Sequence, residues 1–210
     1  MITTVKPGAV DWTGDNPFIY LKTDPAGDWS TLAVYFRIAL SPYGVGQAML
    51  VLESPYQPEH ADARRLVLTD NPSMTRYLLD NFVKKFGLFR PCTALLDSVR
   101  IVDGAQFTCE DTGKGLHIQR ATQAQEGLSL EMHWENLQRP FMADVPADKT
   151  QTGQHEMFTV FQPASSAWVG VNGQRLPGTT VDRDFFGGRA ESAALAFSET
   201  WVQAGDEQQG

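Results

Sequence analysis

At 210 residues, 42% hydrophobic and 20% charged, the chain has the balance of a soluble globular domain large enough to bury a core. A formal net charge of -8 repels phosphate backbones and argues against nucleic acid as a partner, and no apolar run approaches the roughly 20 residues of a membrane-spanning helix, so no membrane partner is expected. The start, MITTVKPGAVDW, lacks a basic stretch leading into an apolar core, and Cys92 and Cys109 are too few for a disulfide framework; a single cytoplasmic domain over residues 1–210 is expected.

Residues 1–29 are rich in Gly, Pro, Asp and Thr and read as an irregular arm with one strand at Phe18-Ile19-Tyr20-Leu21. From Ser30 to Leu40, Leu32, Val34, Phe36, Ile38 and Leu40 alternate with Ala33, Tyr35, Arg37 and Ala39, the period of a strand. A turn at 41–44 leads to a strand at Gln47–Glu53, a loop at 54–63 and a short strand at Arg65–Thr69. The next stretch predicts one long helix over 72–86. Asn71 is a good N-cap and Pro72 suits the first turn. Met74, Leu78, Phe82 and Phe86 recur at helical spacing, Lys84 and Lys85 suit the carbonyl end, and Gly87 suits a left-handed cap.

Hairpin signals follow. Ser98–Val102 and Ala105–Glu110 flank Asp103-Gly104, a two-residue turn signal. After the turn 111–115, Leu116–Ala121 and Leu128–Glu135 flank a polar link, with Leu128, Leu130, Met132 and Trp134 on one face of the second strand and Ser129, Glu131, His133 and Glu135 on the other. Residues 136–154 read as a connection and His155–Gln162 as a strand; Asn172-Gly173 is a type I′ hairpin signal, and 178–187 reads as a loop. Glu191–Val202 reads as a strand carrying Ala193, Leu195, Phe197 and Trp201 on one face, with a helix as the alternative, and 203–210 as a polar tail. The sum is about ten strands and one helix: a mainly β fold, an antiparallel barrel or strongly curved sheet with the helix packed on it or across its mouth.

The run LSLEMHWENLQRPF and then HEMFTVFQPASSAWVGVNGQRLPGTTVDRDFFGGR resembles the lipocalin-like proteins of the carotenoid hydratase group over residues 128–190. Asp182 and Asp184, with Phe185-Phe186-Gly187, stand where that group has its Asp-aromatic-Trp-Gly signature, here without the tryptophan. The resemblance implies a calycin-type barrel around a hydrophobic ligand, with an acidic residue able to protonate an alkene.

Read from the residues alone, His117 and His133 fall roughly opposite each other across the 116–135 hairpin, where with Glu131 or Glu135 they could bind a metal such as zinc; a solvated polar face is the alternative. His133 is also a candidate acid or base. Asp182-Arg183-Asp184 with Arg189 could orient a carboxylate or supply a general acid, or form a surface turn with local ion pairs. Trp134, Trp168, Trp201, Tyr35 and Tyr77 could line a cavity, and Arg37 and Arg120 could anchor an anionic group there. A Cys-His nucleophile pair is open, with no local signal of activation. No phosphate-loop, dinucleotide, nucleophile-elbow, CxxC or HExxH motif occurs, so no cofactor is expected. The expected function is binding of a small hydrophobic or amphipathic molecule, with or without lyase, hydratase or isomerase chemistry; the alternative is an interaction module with a filled core. A homodimer is left open.

Overall fold

The computed structural model describes residues 8–185 and 188–204. The tail at 205–210, the first seven residues and part of the Phe185-Phe186-Gly187 run lie outside the described residues. The fold is mainly β. One hydrogen-bonded network joins 13 strands, and a separate two-stranded hairpin stands beside it. In chain order the strands of the first half are β1 (Gly8–Asp15), β2 (Phe18–Leu21), β3 (Thr31–Leu40), β4 (Gly46–Glu53) and β5 (Arg65–Thr69). Helices α1 (Pro72–Asn81) and α2 (Thr93–Ser98) follow, then β6 (Arg100–Val102), β7 (Gln106–Asp111), β8 (Leu116–Gln123), β9 (Leu128–Leu137) and β10 (Phe141–Val145). The chain ends with β11 (His155–Val171), β12 (Gln174–Arg175), the hairpin β13 (Asp182–Phe185) and β14 (Gly188–Glu191), and β15 (Ala193–Ala204).

The network does not close into a barrel. Its main path runs β6-β5-β4-β3-β1-β15-β11-β9-β8-β7, and the end strands β6 and β7 do not pair. The Asp103-Gly104 signal that predicts a hairpin there is a crossover instead. Gly104 is left-handed at φ 75°, β6 runs parallel to β5, and β7 pairs with β8 at the other end of the path. The local turn chemistry is satisfied, but the Ala105 N–H goes to the Thr69 carbonyl at 3.0 Å and the Gln123 amide to the Asp103 carbonyl at 3.2 Å, so the turn hands the chain from one layer to the next.

The layers meet along β11, whose 17 residues change partner midway. His155–Pro163 pairs with β15, and Ala164–Val171 pairs with β9. Pro163 has no N–H for a ladder, which suits the changeover. Two apolar clusters result. One lies between β2–β5 and the helices and includes Leu32, Val34, Phe36, Leu50, Leu78 and Phe82. The other fills the space between the two layers with Tyr35, Met49, Leu68, Met132, Trp134 and Val169. The alternation read in 30–40 therefore holds, but both faces are buried. The inter-layer space is packed with side chains rather than open as a ligand-holding barrel.

Three local readings are corrected. The arm carries two strands: β1 lies centrally between β3 and β15, concealed in sequence by its Gly and Asp content. Gly14 is required there because a Cβ would meet the Arg37 carbonyl oxygen at 2.2 Å. The long helix over 72–86 is a broken one. Asn71 caps it as expected, its Oδ1 accepting the Met74 N–H at 3.0 Å, but α1 stops at Asn81 and the chain continues in 3-10 turns at Val83–Lys85 and Arg90–Cys92 before α2. Phe82, Val83 and Phe89 are all fully buried, and the break lets each reach the core. Lys84 pairs with Asp80 and Asp97 at 2.5 Å each rather than with helix carbonyls. Finally, β15 is a strand, but Ser198 is left-handed at φ 52° and the β11 register shifts beside it. Ala193, Leu195 and Phe197 face the inter-layer cluster, whereas Trp201 faces the helix side.

Candidate functional site

The β7–β8 hairpin sets the chemistry at the open end of the sandwich. The turn 111–115 closes it with Asp111 opposite His117 and Cys109 opposite Gln119. Strand parity puts these four side chains on one face, with Phe107 and Ala121 further along it. That face meets Tyr35 and Arg37 of β3 and Leu195 and Phe197 of β15. Between them lies a cleft of about 310 Å³, at the lower end of the range for small-molecule sites. Its floor is apolar, with the Tyr35 and Phe107 rings 5.9 Å apart.

Its polar groups are in distinct states. The Tyr35 hydroxyl is bonded to Gln47 Oε1, and burial holds it in the neutral form. Arg37 is paired with Asp15, Nε to Oδ2 at 2.8 Å. Cys109 Sγ lies 3.6 Å from His117 Nε2, and His117 Nδ1 lies 3.5 Å from Asp111 Oδ2. The Gly113 N–H, and then His117, hold the Asp111 carboxyl below its ordinary range. Burial, and then the Asp111 charge, push the Cys109 thiol upward. Gln119 is 3% exposed and lines the cleft; its side chain makes no hydrogen bond to another described residue, and its polar atoms reach the solvent of the cleft.

Of the predicted site residues, Tyr35, Arg37 and His117 meet at this cleft; the others do not. The metal pair is separated by register. His117 opposes Trp134 and Ile118 opposes His133, one residue from the expected pairing, which places the two imidazoles on opposite faces. The strand continues to Gln123 before a tight turn, which makes the difference. Among the described residues no group of three or more His, Cys, Asp or Glu is placed to hold a metal. His133 stacks on Trp168 with ring centroids 3.6 Å apart and bonds Glu131 at 3.1 Å; burial lowers its pKa. Trp168 also donates to Glu135 at 3.3 Å on that outer face, where Arg120 bridges Glu110 and Glu131. Trp134 is core, its Nε1–H donating to the Phe18 carbonyl at 3.0 Å. Tyr77 lies on α1 beside Tyr43, with centroids 5.2 Å apart. Asp182 and Asp184 are exposed on β13, and Asp184 lies 3.6 Å from Arg189.

A second hollow, of about 80 Å³, lies on the other side of the sheet, under the 3-10 segment. Aromatic rings line about half of it, and two polar groups in it are unusual. Glu199 is 4% exposed; its Oε1 accepts from Trp201 Nε1 at 2.7 Å and Asn16 Nδ2 at 3.2 Å, and burial pushes its pKa up to about 7. The guanidinium of Arg183 lies over the Phe18, Tyr20 and Phe185 rings, 4.7 to 5.3 Å from their centroids, and its Nε has no partner among the described residues. Glu199 was passed over in sequence although alternation sets it on the same face as Leu195, Phe197 and Trp201; the Ser198 bulge turns it with Trp201 to the helix side. Cys109, Asp111 and Gln119 were also missed as companions of His117, although parity about the 111–115 turn is the signal that places all four on one face.

No helix among the described residues is long and apolar enough to cross a membrane. Comparison with protein-family models, with curated proteins and with solved structures gives no match.

Proposed function

We propose that the protein binds a small amphipathic molecule in the cleft at the open end of the sandwich. The observation that carries this reading is a cleft of about 310 Å³ with an apolar floor, on whose wall Gln119, a residue only 3% exposed, makes no side-chain hydrogen bond to another described residue. A ligand's polar end can bond this amide in place of the water that reaches it from the cleft. The ligand's apolar body lies on Phe107, Leu195 and Phe197, and its polar end meets Gln119, His117 and Tyr35. The packed inter-layer core limits the ligand to the mouth, so a long chain threaded through the sandwich does not fit.

Native protein is expected to bind 1-anilinonaphthalene-8-sulfonate saturably, at one site per chain. Burying apolar area contributes about 25 cal/mol per Å², part of which offsets the cost of association. Cys109→Trp fills the cleft and is expected to weaken the fluorescence titration by at least about tenfold, the equivalent of 1.4 kcal/mol. Trp168→Ala, on the outer face, is expected to leave it unchanged. Fluorescence that rises only under partly denaturing conditions would instead support an interaction module with a filled core.

A further inference from the structure

We propose that Cys109, His117 and Asp111 form a nucleophilic site that transfers an acyl group from a small ester or thioester to water. The inference rests on the cleft reading above and adds chemistry to it. Its basis is positional. Cys109 Sγ is 3.6 Å from His117 Nε2, the other ring nitrogen is 3.5 Å from Asp111, and the three lie on one face of one hairpin. This is the relation of a nucleophile, a base within reach and a group that orients the base. The partnerless amide of Gln119, directly opposite Cys109, is the second observation: it faces the cleft from a 3% exposed side chain and offers an N–H where charge develops on a carbonyl oxygen.

The steps balance without a further reagent than water. Asp111 accepts from His117 Nδ1–H and leaves Nε2 as the base. Sγ attacks the acyl carbon, its proton passes to Nε2, and the carbonyl electron pair moves onto oxygen beside Gln119. The carbonyl re-forms as the bond to the leaving alkoxide or thiolate breaks, and that group takes the proton from Nε2. Water then attacks the thioester, giving its proton to Nε2, and the carboxylic acid departs as Sγ is reprotonated. Because burial and Asp111 favour the resting thiol, the nucleophile forms during attack and depends on His117. Cys92 provides an internal reference. It is buried, donates to the Phe89 carbonyl and has its pKa pushed up to about 11 by burial.

The test is acetylation of the full chain by p-nitrophenyl acetate, read by release of p-nitrophenol and by peptide mass mapping. The expected result is an acetyl group on Cys109, not Cys92, and a rate about 100-fold above that of the denatured chain. His117→Ala is expected to lower the rate by roughly 100-fold, and added imidazole to restore part of it. His117→Gln, closer in shape, is the second variant, and the thermal transition of each reports its folding. Equal rates for native and denatured chains, or a folded His117 variant as fast as wild type, would overturn the inference. Retained fluorophore binding alongside those results removes the chemistry and leaves the cleft reading standing. Rapid His117-dependent acetylation without fluorophore binding supports the chemistry and removes the amphipathic-ligand reading.

Discussion

Phe82→Asp is expected to abolish cooperative folding near room temperature, and Phe82→Ala to cost about 3–5 kcal/mol. The ring is fully buried where α1 ends. It packs edge-on against Trp12 and Trp201, with centroids 5.7 and 5.3 Å away, and lies 5.2 Å from His155. Alanine leaves a cavity at the junction of three aromatic side chains. Aspartate adds a carboxylate there, and total stabilities are only about 5–15 kcal/mol. For a chain of this size the alanine variant corresponds to a fall of roughly 6–20 °C in Tm. Calorimetry within a degree of wild type would show that the broken helix is not docked through this residue.

Glu199→Gln is expected to stabilise the protein at alkaline pH and to leave it nearly unchanged near pH 4.5. Burial raises the carboxyl to about 7 in the folded state, against 4.5 ordinarily. The folded state therefore holds the proton more tightly than the unfolded chain, so wild-type stability falls as pH rises from the ordinary carboxyl value through about 7. Above that the cost is complete, and a shift of this size corresponds to about 3 kcal/mol. Glutamine keeps an acceptor oxygen for Trp201 and Asn16 without a charge to desolvate. The difference in Tm between variant and wild type is thus expected to open between pH 5 and 8, reaching roughly 6–12 °C. A constant difference across that range would mean that Glu199 titrates as an exposed carboxyl does.

The strands of residues 30–69 and 116–135 were legible because their two-residue period is intact and their turns carry polar or glycine signals. What could not be read was set by tertiary constraint. Helix periodicity continued through Phe82 and Phe86, but docking three nearby aromatic residues broke the helix after Asn81. Asp103-Gly104 is a sound turn whichever strand follows, and only the edge offered by β5 decides that β6 pairs with it. At the site, a one-residue difference in the β8–β9 register separated His117 from His133, while the β7–β8 register set His117 beside Cys109 and Asp111. The parity that makes strand faces readable also makes them sensitive to such a slip. Ser198 has the same effect on β15, where a single left-handed residue turns Glu199 and Trp201 together from the inter-layer face to the helix side.

The most direct measurement of the central claim is a backbone-amide NMR titration of the native protein with 1-anilinonaphthalene-8-sulfonate. Saturable shifts are expected to cluster at Tyr35, Phe107, Cys109, His117, Gln119 and Phe197, the residues that surround the cleft. Shifts centred on Phe86, Arg183 and Glu199, or scattered over the surface without saturation, would contradict binding at the open end of the sandwich.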